Sequence, residues 1–409
     1  MQPKDKIMWM SDSPMLTTGF ATMSWNVMNL LSKKYEGHYL CAHNYAGQLL
    51  PPGVTFTDGT KLDFYVHGVG KEQYCKDIIT QKIRQYRPKV FGILLDTFMV
   101  YPWFLNTDTA PAKTLFYFPS DGGGGLPAGC DQILKRVDMP IAMSRHGQKQ
   151  VKKVHDINAE YIPHACNPDI FHKVSDEERI KLKTKFGLQN KFVVGCVARN
   201  QGRKMLDREV KSFALFCRDK PDAVLYMHSD PKDPAAPFDI LKLISDLGIQ
   251  NRVLWSGYTF WNNVTYEQMR EIYNIMDIFF LSTSGEGFGV PTIEAQACGV
   301  PVVVTDYTTT QELLIEDGQS GLPVKLVGDL QPTLEHHPSE IVDGTVMGNW
   351  NVERGLMDIF DGAKQLTKLY DDAKLREKLG KVGIRKVSKL YTWDAVNPLW
   401  EKAIDKLIK

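Results

Sequence analysis

Short apolar runs alternate with amphipathic helical patterns along most of this chain, and this alternation limits the fold more than any other feature. Apolar runs of about four to eight residues between polar stretches are typical of buried strands. Strands that alternate with helices form a parallel sheet covered by helices on both faces. The sequence therefore predicts an α/β protein of the doubly wound type. The first predicted strands are residues 7–10, 38–42, 64–69, 90–95, 114–118, 140–144 and 159–162.

The pattern starts again after a polar, charge-rich stretch at residues 171–190. Because a single hydrophobic core stops growing at roughly 250–300 residues, a chain of 409 residues is expected to form two domains. We place them at 1–185 and 186–390, followed by a tail at 391–409. Residues 328–350 carry prolines, glycines and little periodicity, and we interpret them as a surface insertion. The second series of predicted strands is 191–198, 223–228, 253–256, 278–281 and 301–305.

The composition argues against several classes of partner. Lys and Arg number 49 and Asp and Glu 48, so no global field attracts nucleic acid or an acidic membrane, and we expect no nucleic-acid partner. The seven cysteines form no C-x-x-C pair, which indicates a reducing compartment with neither a disulfide framework nor a zinc site. The sequence shows no secretory signal and no apolar stretch of roughly 18 residues. We therefore expect a cytoplasmic protein and leave the oligomeric state open.

Two local features leave alternatives. The segment 145–153 is basic, and we interpret it as a solvated face, with contact to an anionic acceptor or a membrane surface as the alternative. His336 and His337 in the insertion are adjacent, but they are the only pairing that hints at a metal, and no metal site is predicted.

The block from residue 278 to residue 314 carries the chemistry. It is predicted as a strand at 278–281, a polar loop, and a helix that Pro291 opens and Gly299 ends, since proline favours the first helical position and glycine the position after the last. Glu286 then lies in the loop at the carboxyl end of the strand. Glu294 lies on the first turn of the helix.

This position is suited to a ligand that combines an anion with hydroxyl groups. Ligands of open parallel sheets bind beyond the carboxyl ends of the strands. The glycine-rich loop 285–289 lets backbone amides approach a ligand, and the start of the helix adds positive partial charge suited to a phosphate. Two carboxylates at the same place can accept hydrogen bonds from hydroxyls. A sugar nucleotide offers both groups.

The stretch Ser-Gly-Glu-Gly-Phe-Gly-Val-Pro-Thr-Ile-Glu-Ala, with Glu286 and Glu294 in an E-x7-E spacing, resembles the signature of the family-four retaining glycosyltransferases. The resemblance implies the GT-B fold: two Rossmann-like domains facing across a cleft, with a C-terminal helix crossing back to the N-terminal domain. It implies that Glu286 contacts the donor sugar near the reacting centre and that Glu294 binds the ribose hydroxyls. It also implies that the amides of Phe288, Gly289 and Val290 face the donor.

A second stretch, residues 197–204, resembles the family's strand-end arginine followed about five residues later by lysine. The resemblance implies that Arg199 and Lys204 hold the diphosphate, with Arg203 as the reserve candidate. Cleavage of the anomeric bond leaves negative charge on phosphate, and preorganised cations stabilise that charge. Further similarity is found at 161–171, at 305–313 and in the tail from residue 391.

The N-terminal half resembles the family least. Many members carry a His-Asp pair after the strand that is 114–118 here, and this chain has Ser120 and Asp121. Asp121 is a candidate acid or base, and a turn-forming aspartate is the alternative. Gly19, after the first strand, is a candidate for the family's first glycine loop, which faces donor phosphates or acceptor. A plain tight turn is the alternative for Gly19.

The resemblance implies a retaining, metal-independent hexosyltransferase. The donor would be a UDP or GDP sugar bound by the 186–390 domain, and the acceptor a carbohydrate, glycolipid or small molecule bound by the 1–185 domain. No cofactor beyond the donor substrate is expected. The rival hypotheses are a nucleotide-sugar epimerase or a phosphorylase on the same fold, and a binding protein that keeps the donor site without transfer.

Overall fold

The computed structural model describes residues 4–16, 18–43, 45–55, 61–101, 103–259, 264–327, 341–342, 345–346 and 353–409. They divide into two compact units. The first unit extends to His164 and includes Asp394–Lys409, and the second begins at Ala165 and includes Glu353–Trp393. The division at residues 185 and 186 stays a prediction about domain boundaries. In the structure, residues 165–185 are grouped with the second unit.

The first unit contains a parallel sheet whose seven described strands follow the order β3-β2-β1-β4-β5-β6-β7. The strands are β1 (Lys6–Ser11), β2 (Glu36–Cys41), β3 (Tyr65–His67), β4 (Val90–Leu94), β5 (Lys113–Phe118), β6 (Met139–Ala142) and β7 (Glu160–Tyr161). The helices are α1 (Gly19–Ser32), α2 (Ile79–Tyr86), α3 (Thr97–Val100), α4 (Asp131–Arg136) and α5 (Arg145–His155). Each predicted strand of this half is confirmed, with ends that differ by a few residues.

The second unit contains a parallel sheet with the order β10-β9-β8-β11-β12-β13 among the described residues. The strands are β8 (Phe192–Val197), β9 (Ala223–His228), β10 (Val253–Trp255), β11 (Ile278–Leu281), β12 (Val302–Thr305) and β13 (Gly321–Val324). The helices are α6 (Asp176–Lys185), α7 (Leu206–Phe216), α8 (Ile240–Asp246), α9 (Tyr266–Asn274), α10 (Val290–Ala297), α11 (Ile359–Asp371) and α12 (Ala373–Leu390).

Both sheets reverse their strand order beside the first strand of the unit. In the second unit the chain proceeds from β8 outward to β10 and then returns to β11 on the other side of β8. The loops after β8 and β11 therefore diverge at the carboxyl edge, and such a switch point forms a crevice where ligands of doubly wound folds bind.

Helix α6 is fixed to the second unit by a buried carboxylate. Arg179 Nη2 and Lys183 Nζ lie 2.8 Å and 2.7 Å from the two oxygens of Asp277, which precedes β11. Asp277 also accepts a hydrogen bond from Val193 N in β8. One aspartate thus joins a helix to two neighbouring strands, and this explains why residues 165–185 belong with the second sheet.

The C-terminal helix α13 (Trp393–Ile408) packs on the sheet of the first unit. Trp400 is fully buried and meets Trp9 of β1 and Tyr117 of β5 edge-on, at ring-centroid distances of 5.7 Å and 5.0 Å. Aromatic pairs in this arrangement add about 0.5–1.5 kcal/mol to the stability gained from buried area. The last residues of the chain are therefore part of the core of the first unit.

Three other predictions concern the insertion, the cysteines and membrane-spanning segments. The insertion at 328–350, including His336 and His337, lies outside the described residues except for a short antiparallel hairpin, β14 (Ile341–Val342) with β15 (Thr345–Val346). All seven cysteines lie within the described residues, where they are buried free thiols. None of the described helices has the length and apolar character that a membrane span requires.

Candidate active site

The loops after β8 and β11 are joined by hydrogen bonds at the switch point of the second sheet. Ser284 N donates to the carbonyl of Arg203 over 2.8 Å, and Ser282 Oγ donates to the carbonyl of Met205 over 2.7 Å. Met205 adopts a left-handed conformation with φ of 47°, which turns the first loop back toward helix α7. The two loops therefore form one rigid surface, and the predicted cations and Glu286 lie on it.

Glu286 forms a buried ion-pair triad with two cations. Lys204 Nζ lies 2.5 Å from Oε1 of Glu286, and Arg203 Nη1 lies 3.1 Å from Oε2. Burial alone would raise the pKa of Glu286, but the charges of Lys204 and Arg203 outweigh it and lower the pKa to about 2. Burial lowers the pKa of Lys204, and the charge of Glu286 opposes that effect. The carboxylate thus holds both cations in place at the crevice.

Arg199 is held by a different carboxylate. Its Nε and Nη2 lie 2.9 Å and 3.2 Å from the two oxygens of Asp233, whose carboxylate is almost completely buried. The Arg199 side chain itself remains 43% exposed. The structure therefore brings Arg203 and Lys204 to Glu286, whereas Arg199, in the same loop after β8, pairs with Asp233 in the loop after β9.

Helix α10 begins directly after the glycine-rich loop. Gly289 has φ of 103°, a backbone conformation that glycine adopts at no steric cost, and Val290 and Pro291 start the helix. Phe288 is buried, and its ring meets Tyr391 edge-on at 5.6 Å. The backbone amides in the first turn of α10 therefore lie at the same carboxyl edge of the sheet as the triad, where they can attract an anion.

Glu294 has the opposite electrostatic environment from Glu286. Tyr273 of α9 donates its hydroxyl proton to Oε2 of Glu294 over 2.7 Å. Burial raises the pKa of Glu294 to about 7, and the hydrogen bond from Tyr273 opposes this shift. Glu286 is therefore ionised at neutral pH, whereas the carboxyl of Glu294 titrates near neutrality.

Sequence reasoning missed three residues that support the loop after β11. Thr308 Oγ1 accepts a hydrogen bond from Glu286 N over 3.0 Å, and Gly355 N donates to the carbonyl of Ser284 over 2.9 Å. Both contacts join segments far apart in the chain, so no local sequence pattern predicts them. The third residue, Glu209 of α7, did leave a signal.

Glu209 is completely buried beneath the two loops, with Oε2 3.4 Å from both N and Oγ of Ser282. Burial raises the pKa of Glu209 to about 8. It follows Leu206 by three residues and precedes Val210 and Phe213 on the apolar face of α7. A glutamate on the apolar stripe of a helix was the sign that could have identified it.

Asp121 and Gly19 belong to the first unit. Asp121 is half-buried after β5, next to the buried Ser120, and His146 Nε2 is 2.9 Å from the carbonyl of Gly122. Burial lowers the pKa of His146, and the charge of Asp121 opposes the shift. Gly19 is exposed and is the first residue of α1 rather than part of a tight turn. The functional roles of Asp121 and Gly19 remain predictions.

Solved structures share the two-unit α/β fold of this protein. The structure matches sucrose-phosphate synthase from Thermosynechococcus elongatus with a TM-score of 0.74 over 99% of both chains, at 17% identity. It matches the Anabaena protein HepE, solved with UDP and glucose, with a TM-score of 0.71 over 98% of this chain and 100% of that chain, at 14% identity. These likenesses establish the GT-B fold.

Residues 178–326, which lie within the second unit, match the family model of glycosyl transferases group 1. The matched stretch contains both glutamates and all three cations of the candidate site. One relative is the mannosylfructose-phosphate synthase of Agrobacterium fabrum, 29% identical over 185 residues, which are 43% of this chain. In that match the chain spans 38% of the relative's length.

Proposed function

We propose that this protein transfers a hexose from a nucleotide-diphosphate sugar to a hydroxyl acceptor, with retention of the anomeric configuration. The observation that carries the proposal is the triad of Lys204, Arg203 and Glu286, buried beside the start of α10 at the switch point. It supplies fixed positive charge where a diphosphate leaves. Preorganised charge of this kind lowers the barrier because it needs no reorganisation during the reaction.

In the proposed step, the oxygen of the acceptor hydroxyl attacks the anomeric carbon on the face that the diphosphate leaves. The bond between that carbon and the phosphate oxygen breaks, and the departing oxygen takes the hydroxyl proton. The products are the glycoside and the nucleoside diphosphate. Lys204 and Arg203 stabilise the charge on the leaving group, so the proposal includes neither a metal ion nor a cofactor. Glu294 would accept hydrogen bonds from the ribose hydroxyls.

The nucleotide is the first property to test. A ligand at a hundred times its dissociation constant stabilises a protein by about 2.7 kcal/mol. We expect UDP-glucose or GDP-mannose to raise the melting temperature by several degrees, with ADP-glucose as the third member of the panel. HepE, solved with UDP and glucose, makes the uridine nucleotide our first choice.

Turnover then separates the rival functions. Release of nucleoside diphosphate together with an acceptor glycoside of retained configuration, assigned by proton NMR, supports transfer. Interconversion of the donor sugar without an acceptor would indicate an epimerase. Binding with neither reaction, over a range of sugar and glycolipid acceptors, would indicate a binding protein. A protein that none of these nucleotide sugars stabilises would contradict the proposal.

The affinity for the donor is expected to depend on pH through Glu294. Because burial raises the pKa of its carboxyl to about 7, Glu294 gains a proton in the free protein as the pH falls through the neutral range. Ribose hydroxyls donate to the carboxylate, so protonation competes with the donor. We expect the dissociation constant to increase as the pH falls from about 8 to about 6, approaching tenfold per pH unit below the pKa.

Two variants identify the titrating group. Tyr273→Phe removes the hydroxyl that lowers the pKa of Glu294, so the midpoint should move to higher pH. Glu294→Gln should bind the donor more weakly and with no midpoint in this range. An unchanged pH profile in Glu294→Gln, measured by titration calorimetry, would show that another group is responsible.

A further inference from the structure

Two polar side chains at the carboxyl edge of the second sheet are buried without partners among the described residues. Asn200, in the loop after β8, is 1% exposed, and neither its Oδ1 nor its Nδ2 has a hydrogen-bond partner. Ser229 follows β9, is 7% exposed, and its Oγ also lacks a partner. Buried polar atoms are nearly always hydrogen-bonded in native proteins, so each exception indicates a ligand, a water molecule or strain.

Asn200 lies on a rigid part of the candidate site. Val197 and His228 are register partners at the ends of β8 and β9, so the loops that carry Asn200 and Ser229 leave the sheet side by side. The bidentate pair between Arg199 and Asp233 fastens these two loops together. Asn200 is therefore preceded by one candidate cation and followed, within the same loop, by Arg203 and Lys204.

The chemistry of a carboxamide selects the group that can satisfy it. Nδ2 donates hydrogen bonds and Oδ1 accepts them, whereas a phosphate at neutral pH offers mainly acceptor oxygens. A diphosphate would satisfy Nδ2 and leave Oδ1 unpaired. A hydroxyl group both donates and accepts, and a nucleotide sugar presents hydroxyls next to its diphosphate.

We propose that Asn200 is a specificity-determining residue whose buried carboxamide hydrogen-bonds a hydroxyl of the nucleotide-sugar donor, with Ser229 beside it. This inference rests on the proposed function, since it assigns Asn200 to the same donor site. The hydroxyl belongs either to the ribose or to the hexose, and both would be recognised by the same donor and acceptor pair.

The test uses Asn200→Leu, which keeps the number of side-chain heavy atoms and removes both polar groups. We expect the dissociation constant of the nucleotide sugar to increase at least about tenfold, which corresponds to about 1.4 kcal/mol. The melting temperature of the free protein should stay the same or increase, because the variant no longer buries unpaired polar atoms. A residue with a purely structural role would show the reverse: lower stability and unchanged affinity.

The measurement is titration calorimetry on the full chain with UDP and UDP-glucose, or with GDP and GDP-mannose if that pair binds the wild type. A loss of affinity for both members of the pair assigns the hydroxyl to the ribose, and a loss for the nucleotide sugar alone assigns it to the hexose. If Asn200→Leu does not fold, Asn200→Ala replaces it with the same expected loss. An increase of less than about threefold in the folded variant overturns the inference.

A matched control is available in the same unit. Ser212 Oγ is also buried and without a partner among the described residues, but it lies on α7 against Gly362 of α11. Ser212→Ala should change donor affinity less than twofold. If the wild type binds none of the four nucleotides, the proposed function fails and this inference fails with it. If the wild type binds and Asn200→Leu binds equally well, only the role of Asn200 is refuted.

Discussion

Replacement of Glu286 by glutamine is expected to lower kcat about 10²–10³-fold, the loss typical of removing one preorganised electrostatic group. Glutamine keeps the shape of the side chain and an oxygen that can accept from Lys204 Nζ, now 2.5 Å away, but it removes the charge that holds two cations. The measurement is the rate of nucleoside diphosphate release, with the melting temperature recorded for the same samples.

Glutamine is a sharper test than alanine at this position. Both substitutions remove the counter-charge of Lys204, and removal of one partner of a buried pair costs about 3–5 kcal/mol. Alanine also removes the oxygen that accepts the hydrogen bond from Lys204 Nζ, so its effect on activity would be harder to separate from a loss of structure. Glu294→Gln is the matched control, because it removes the other carboxylate of the E-x7-E pair and should mainly increase KM. Transfer by Glu286→Gln within twofold of the wild-type rate would refute the assignment of the triad to catalysis.

The second large effect concerns Lys204 and separates stability from activity. Lys204→Met leaves the buried Glu286 with Arg203 as its cationic partner, so we expect a loss of stability of about 3 kcal/mol, at the lower end for a broken buried pair. The kcat should fall about 10²–10³-fold, because the leaving phosphate loses a cation. Adding Glu286→Gln to Lys204→Met should recover most of the stability and none of the activity.

Urea denaturation and donor turnover of the two single variants and the double variant complete the cycle. Lys211→Met is the control, since Lys211 forms a half-exposed pair with Asp207 one turn away on α7. Exposed pairs of this kind contribute about 0–1 kcal/mol, so stability and activity should change little. A double variant that regains transfer would show that neither side chain acts in the reaction.

The alternation of strands and helices could be predicted from the sequence because buried parallel strands are almost continuously apolar. Strand β13 (Gly321–Val324) was missed, because Gly-Leu-Pro-Val contains a glycine and a proline, which are both poor strand formers. The structure places β13 at the edge of the sheet, where proline is tolerated. Local composition therefore fails for a strand made of poor strand formers, although the other edge strands, β3, β7 and β10, were predicted.

The candidate site shows the same limit at the level of side chains. The motif located Glu286 and Glu294, because a strand, a glycine-rich loop and a proline-opened helix are contiguous in the chain. The sequence could not show which of the three cations pair with Glu286. The left-handed turn at Met205 directs Arg203 and Lys204 to Glu286. Arg199 instead pairs with Asp233, which lies in the loop after β9. Such pairings form only in the folded chain and correspond to no regular spacing along the sequence.

The triad also influences which ligands the crevice can attract. In the free protein Glu286 already offsets one of the two positive charges of Lys204 and Arg203, so a simple anion such as sulfate must compete with a carboxylate that the fold holds in place. A molecule that brings phosphate to the cations and hydroxyls to the carboxylate can interact with both parts of the triad at once. We therefore expect the crevice to prefer a ligand that carries phosphate and hydroxyl groups together over inorganic anions.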